Sequence, residues 1–439
     1  ASGPPQWVAM WKEPQLKVLA KGAYDTSADK LSLESSSLSV DGLTVGAKGK
    51  LDACLSAQQI DLTGDIAYDW DKLVKRFGDQ LSKHVQLQGQ DHRPFAIKGS
   101  LASLSTGAAS PKSSSPIKAS QVSFTPDTAE VNKKVASNTT AGLMDFHAEG
   151  GLGWSAANVY GIVAGPADIS AKLDQGVLQF APLDVAVNEG KLHLTPAIHL
   201  ENDPATLILP AEKIIDQVRL SPELCSGWLK FILPTLADSA QVEGKFSLDM
   251  KGASLPLSAP VTGSADGILT VNHVQVRPGP LALQIVGAID QAQTLISRRS
   301  IGTVSPDQIW VQLPEQQIPF QLDQGRVHHD GLTITVNNVV VKTSGSVGLS
   351  DESLNMVAEI PIQAEWLGNN KTLQSLKGQL ISIPIAGTLS KPKLDPRVFA
   401  KLTQQLGGSV IEGLIQDKIG GKLDGAVNKG LDLLFKGKK

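Results

Sequence analysis

GRVHHDGLTITVNNVVVKTSGSVGLSDESLNMVAEIPI (325–362), followed by LISIPIAGTLSKPKLDP (380–396), is the stretch whose reading decides the fold. Leu332, Ile334 and Val336 alternate with polar residues along one strand. Leu354, Met356, Ala358, Ile360 and Ile362 do so along the next, and Ile381, Ile383 and Ile385 along a third. Side chains two apart on a strand point the same way, so each stretch offers one apolar face. Such faces either pack a closed core or line a groove open to an apolar ligand, and that choice sets the function.

The same alternation recurs at 16–24, 43–53, 86–101, 191–200, 244–250, 267–276, 308–314 and 317–327. Gly, Asp-Gly and Asn-rich punctuation between these runs is that of hairpins, because tight turns need positive φ. Asp-Gln-Gly stands at 174–176 and again at 323–325, a repeated turn. The expected fold is mainly β: an elongated, strongly curved antiparallel sheet of repeated hairpins with a few amphipathic helices and a C-terminal helix.

Three helices are predicted. Over 69–81, Trp70, Leu73, Val74, Phe77 and Leu81 form one stripe behind an Asp69 N-cap. Over 221–237, Ser221 caps, Pro222 fits the first turn and Pro234 ends or kinks the helix. In the tail, apolar residues recur every four from Ile411 to Phe435, interrupted by five glycines. Each glycine weakens a helix by about 1 kcal/mol relative to Ala, so a tail helix over 396–435 needs a surface. That surface is its own β body, a membrane or another envelope protein. STGAASPKSSSPIK (105–118) is too small and polar to bury, which makes it a linker or loop. The expected organisation is a β segment with one helix over 1–104, the linker, a main β region over 119–394 and the helical tail over 395–439.

Composition narrows the functions. Apolar residues make up 41% of 439, a globular rather than disordered value. Forty basic against 43 acidic residues leave no basic excess, so nucleic acid is not an expected partner. No apolar run is long enough for a membrane-spanning helix. Nucleophile elbows, phosphate loops, zinc-protease and dinucleotide motifs are all missing, and no carboxylate pair stands out. The expectation is no enzyme, no cofactor and no metal. His328-His329-Asp330-Gly331 invites a metal but reads more simply as a polar hairpin turn. Cys54 and Cys225 are read as two buried thiols, with a long-range disulfide as the alternative. The seven dispersed Trp residues are read as core.

Residues 143–394 hold an ordered series of segments, of which the last two, DGLTITVNNVVVKTSGSVGLSDESLNMVAEIPI (330–362) and IPIAGTLSKPKLDP (383–396), resemble the C-terminal region of bacterial AsmA-like envelope proteins. The signature carrying it is Ile383-Pro384-Ile385, Gly387-Thr388-Leu389 and Pro392. The helix with Cys225, Trp228 and Pro234 resembles that of uncharacterised large proteins of this type from planctomycete-like bacteria. The resemblance covers about half of the chain. It implies a β-groove fold, a periplasmic location and a part in moving phospholipid between envelope membranes. The chain departs from the family pattern in showing no N-terminal membrane anchor and in the shortness of its groove.

The expected function is therefore non-enzymatic binding or transfer of phospholipid or another acyl lipid in the cell envelope. Ile334, Val336, Leu354, Met356, Ile360, Ile381, Ile383 and Ile385 are the expected groove lining. The alternative is a structural or interaction protein of the envelope with a closed β body and no ligand. Ile383→Asp separates the two: it abolishes lipid capture in an open groove and unfolds a sealed core.

Overall fold

A computed structural model describes residues 15–76, 85–101, 143–297, 311–336, 338–368, 373–402 and 404. The chain is mainly β, built as one large antiparallel sheet with few helices. β1 (Lys17–Asp25), β2 (Lys30–Val40), β3 (Leu43–Asp52) and β4 (Gln59–Asp69) come first, followed by a helical turn, α1 (Trp70–Leu73). β5 (Val85–Gln88) and β6 (Gln90–Ser100) precede residue 101. After residue 142 come β7 (His147–Trp154), β8 (Ala156–Val159), β9 (Ile162–Ala164), β10 (Ala167–Asp174) and β11 (Val177–Phe180). β12 (Leu183–Val187), β13 (Gly190–Leu194), β14 (Ala197–His199), β15 (Thr206–Leu209) and β16 (Glu212–Arg219) continue the series.

Two short helices follow, α2 (Pro222–Ser226) and α3 (Leu229–Ile232), then the long strands β17 (Val242–Pro256) and β18 (Ser264–Val276). The longest helix, α4 (Pro280–Ser297), leads to β19 (Val311–Leu313), β20 (Gln316–Asp323), β21 (Arg326–Val336), β22 (Val339–Gly348) and β23 (Leu354–Pro361). A turn of helix, α5 (Ala364–Leu367), precedes β24 (Leu380–Gly387) and β25 (Pro392–Leu394).

Each strand pairs with its neighbours in the chain. Where two short strands follow one another, as β7 and β8 do, they are halves of one bent strand. β7 pairs β10 while β8 pairs β9, and β10 pairs β11 while β9 pairs β12. The sheet is therefore one long meander. β6 pairs β7 across the interval 102–142, through Ala96↔Glu149 to Lys98↔His147. The regions on either side of the expected linker, itself outside the described residues, thus share one sheet. Among the described residues β1 and β25, the first and last strands of the meander, have one partner strand each, as does β5.

The turns follow the chemistry that hairpins require. Gln175-Gly176 joins Asp174 to Val177, and Gln324-Gly325 joins Asp323 to Arg326. All four turn residues have positive φ, between 47° and 77°. That matches the right-handed twist of the flanking strands.

Register draws one apolar row across the sheet from β1 to β23. A single row of directly opposed residues runs Gly22, Leu33, Gly49, Leu62, Ile97, Ala148, Leu173, Leu178, Ile198, Leu207. Two residues on, at Leu209, it resumes as Ala253, Ala265, Leu322, Val327, Val347, Leu354. No charged residue interrupts it. Because the side-chain period is two, a one-residue slip anywhere would expose the row.

Helices cover only part of this face. Leu224 and Leu229 of α2 and α3, and Ile285 and Ile289 of α4, share one core with Leu269, Ile318, Ile334 and Val341 of the later strands. The Ser221 hydroxyl accepts from the Leu224 N–H at 3.3 Å and caps α2 as expected. The helix expected over 221–237 is nevertheless broken: α2 ends at Gly227, α3 at Leu233, and Pro234–Leu236 forms a separate tight turn. At the head of α4, a Cβ on Gly279 would run into the Ala237 carbonyl, so the two helical segments meet backbone to backbone there. Of the first expected helix, α1 and the turn Val74–Arg76 are described, and Asp69 accepts from the Lys72 N–H at 3.3 Å as its cap. Of the tail, residues 397–402 are helical; the stripe from Ile411 to Phe435 lies outside the described residues.

Candidate apolar groove

The eight residues expected to line the groove are on the predicted face. Met356 opposes Ile385, and Ile360 opposes Ile381. The structure corrects their exposure. Ile334, Val336, Leu354, Met356, Ile360, Ile381, Ile383 and Ile385 are between 0 and 6% exposed, within the core that α4 and its neighbours close. They bring together a sealed interior, because α4 supplies Ile285, Ile289 and Ile296 to the face that the strands offer.

The same face is uncovered farther back along the meander. Leu62, Ile97, Leu152, Ile169, Leu173, Leu178 and Phe180 are all only half-buried. Phe95, Ile97, Leu152, Ile169, Leu178 and Phe180 surround a trough of about 340 Å³ floored by Ala148, Gly150 and Ala171. The floor residues are small, so the sheet backbone is approached closely there. In the sealed half Leu, Ile, Val and Met predominate on this face, with Ala253, Ala265 and Ala358 among them, and they share one core with the helices.

Phe95 is positioned by a lapse in the sheet. β6 and β7 are paired for three residues only, and pairing resumes at Gln88↔Ala156 between β5 and β8. In the gap, Gly153 takes its partners from side chains. The Trp70 indole N–H donates to its carbonyl at 2.7 Å, and the Tyr68 hydroxyl donates to the same oxygen at 3.2 Å. The Gly153 N–H donates to the Tyr68 hydroxyl. Arg93, beside Phe95, is held by Asp91 at 2.6 Å and by Asp168 at 3.7 Å. The His92 backbone N–H and then the Arg93 guanidinium, both donating to Asp91, keep that carboxyl below its ordinary value.

A larger hollow of about 1210 Å³ lies mainly on the opposite, polar face, walled by Lys48, Asp65, Glu149, Lys172 and Asp174 among others. A strongly twisted sheet is saddle-shaped, so each face is concave along one diagonal. The smaller trough suits an apolar ligand better, since charged walls would have to lose water.

His329 is not in a hairpin turn. It sits inside β21, where the register shifts between His329 and Leu332, and is buried. Its Nε2 lies 3.4 Å from the Thr343 hydroxyl. Burial pushes the imidazole down to about 4. A histidine neutral in the folded chain and ordinary when unfolded stabilises fully above about pH 6.5. That stability is lost as pH falls towards 4, because only the unfolded chain takes up the proton. Between pH 7 and pH 5 the loss is about 2 kcal/mol. Urea unfolding at the two pH values should show it, and His329→Leu should remove most of the difference.

Among the described residues, no group of three or more His, Cys, Asp or Glu side chains could hold a metal ion. Both cysteines are free thiols, and burial pushes Cys225 up to about 12. No described helix is long and apolar enough to cross a membrane. No protein-family model, curated protein or solved structure matches this chain.

Proposed function

We propose that this chain is a non-enzymatic lipid-binding protein of the bacterial envelope that holds acyl chains on the uncovered part of its apolar sheet face. One observation carries the reading: an uninterrupted apolar row crosses the sheet, yet the helical layer covers only its later half. Burial of apolar surface is the main force that folds a chain, so a built apolar face left open points to a partner that completes it.

Geometry fits an acyl chain. From β4 to β11 the face crosses five strands in succession, which at the usual strand spacing is a path of about 19 Å. Each methylene taken from water contributes about 0.8 kcal/mol, so a long acyl chain needs no specific polar contact. That agrees with the absence of recognisable reaction chemistry in the sequence. The envelope setting and the class of lipid, a phospholipid, rest on the AsmA-like resemblance carried by the last blocks of residues 143–394. The sealed later half by itself favours a closed body without ligand, and the open earlier half is what separates the two readings.

The test is organic extraction of the purified protein followed by mass spectrometry. Phospholipid should co-purify in near-stoichiometric amount. A protein that folds, stays soluble and yields no lipid after expression in a bacterial envelope would contradict the reading.

A further inference from the structure

We propose that the hollow between the β8–β9 hairpin and the α2–α3 arm binds a short neutral glycan. The hollow holds about 530 Å³, the size of a small-molecule site. Gln86 of β5, Asn158 of β8, the Tyr160-Gly161 turn and the arm between Glu223 and Phe231 enclose it. The turn is the first pointer. Val159 opposes Ile162, so Tyr160 and Gly161 form a two-residue hairpin loop, with φ of 50° and 86°. Such loops favour Asn, Asp or Gly at the first position. A tyrosine held in the left-handed region costs stability. Burial does not offset that cost, since Tyr160 is 52% exposed. Among the described non-glycine residues at positive φ, it is the one Phe, Tyr or Trp. The strained position therefore serves to present an aromatic ring at the hollow. The loop that carries it is fixed. A Cβ on Gly161 would lie 2.9 Å from the Glu223 Cβ, so the loop seats directly on α2. Asn158 Oδ1 accepts from the Gly161 N–H at 3.2 Å, and Asn188 Nδ2 donates to the Gly161 carbonyl at 3.0 Å. A wall fixed in advance lowers the ordering cost of binding.

The walls specify the class of ligand. Trp228 and Phe231 add two aromatic rings to that of Tyr160. Tyr and Trp join an apolar body to a polar handle, which matches the C–H face and hydroxyl edge of a sugar ring. Gln86 offers an amide donor and acceptor, Asn158 keeps its amide N–H groups, and Glu223 offers a carboxylate acceptor. Hydroxyls both donate and accept, so they suit all three. The buried Trp228 indole N–H has no partner either. Charge argues against other ligands. Lys230 is already held by Glu352 at 2.6 Å, and Glu223 would oppose an anionic group. The Lys230 ammonium also lies 5.2 Å from the centre of the Phe231 ring, where a cationic ligand would meet a like charge. An acyl chain would strip water from the amides and the carboxylate. A neutral molecule with one apolar face and many hydroxyls meets none of these obstacles. The site does not rest on the lipid reading.

Saturation-transfer NMR on the full chain tests the proposal. The probes are neutral di- to tetrasaccharides of glucose, mannose and N-acetylglucosamine. At least one should bind with a Kd of about 10 mM or tighter, and its ring C–H protons should take up saturation from the aromatic wall. Tyr160→Gly should weaken that binding by at least about ten-fold. Its melting temperature should hold or rise, because glycine accepts the positive φ that tyrosine resists. Tyr160→Phe keeps the ring and should bind within about three-fold of the parent. No binding by any saccharide overturns the proposal, and so does binding that ignores Tyr160→Gly. Binding of tetramethylammonium in place of every saccharide, lost in Tyr160→Gly, would make the hollow a cation cage and overturns it as well. Lipid recovered by extraction should be the same for Tyr160→Gly and the parent. A drop in that lipid would assign the hollow to lipid instead, whereas failure of the saccharides alone leaves the lipid reading standing.

Discussion

An Ile383→Asp variant should fail to fold stably. Ile383 has no exposed surface, and its neighbours across the strands are Ala358 and, two along, Ile360 opposite Ile381. An ionised carboxylate placed there finds no partner and no water. It either stays charged at a cost of several kcal/mol or protonates and still lacks a hydrogen bond. A loss above about 4 kcal/mol is expected, a large share of the roughly 5–15 kcal/mol that holds an ordinary domain folded. Thermal melting and urea titration would read it directly. A variant that melts like the parent would mean that Ile383 faces open space, and the helical cover described above would be wrong.

The second large effect is expected where the face is open. Ile169→Asp should leave the protein folded and abolish lipid binding. Ile169 is half-buried on β10, opposite Leu152, with the trough above it. Its carboxylate would remain in contact with water in the unliganded protein, so the stability change should be about 1 kcal/mol or less. An acyl chain laid over it would have to desolvate the charge, at a cost of several kcal/mol against a gain of about 0.8 kcal/mol per methylene. Lipid recovered by extraction should drop to background while the melting temperature stays close to that of the parent. Together the two variants form a contrast: the same substitution on the same face unfolds one half and blanks the other.

Much of this face was legible beforehand, because alternation fixes the side to which a residue points. Ile334, Met356 and Ile383 were correctly placed together on one apolar side. Alternation is silent about what lies above that side, and the cover came from α4. PLALQIVGAIDQAQTLIS (280–297) has its helical signal in plain view. Leu281, Ile285, Ile289, Ala292 and Ile296 recur at helical spacing, and Pro280 sits at the start. The alternating run at 267–276 ends before them, and the three helices predicted from the sequence do not include this one. Pro278-Gly279-Pro280 separates the strand from the helix.

The open half was missed for a related reason. Its face alternates large residues with Gly64, Ala148, Gly150 and Ala171, which weakens the apolar signal just where a ligand would lie. At 332–336, 354–362 and 381–385 the sealed half alternates mostly Leu, Ile, Val and Met, and so drew the assignment of the groove. Size along the inner face, more than hydrophobicity, distinguishes a surface that meets helices from one that leaves room. The His328-His329 reading failed on the same kind of detail. Asp330-Gly331 suggested a turn, but Gly331, at φ 70°, marks a bulge within β21, which keeps His329 inside the body. The broken helix at 221–237 shows Gly227 acting as a stop that the apolar pattern alone concealed.

The central claim is that acyl chains lie on the open part of the face and not on the sealed part. Photo-crosslinking in bacterial cells tests it most directly, with a benzoyl-phenylalanine placed at Ile169 in one version and at Ile383 in another. Capture of lipid at Ile169, with none at Ile383, is the predicted result. No lipid at Ile169 in a protein that accumulates and folds normally, or capture at Ile383 alone, would contradict it.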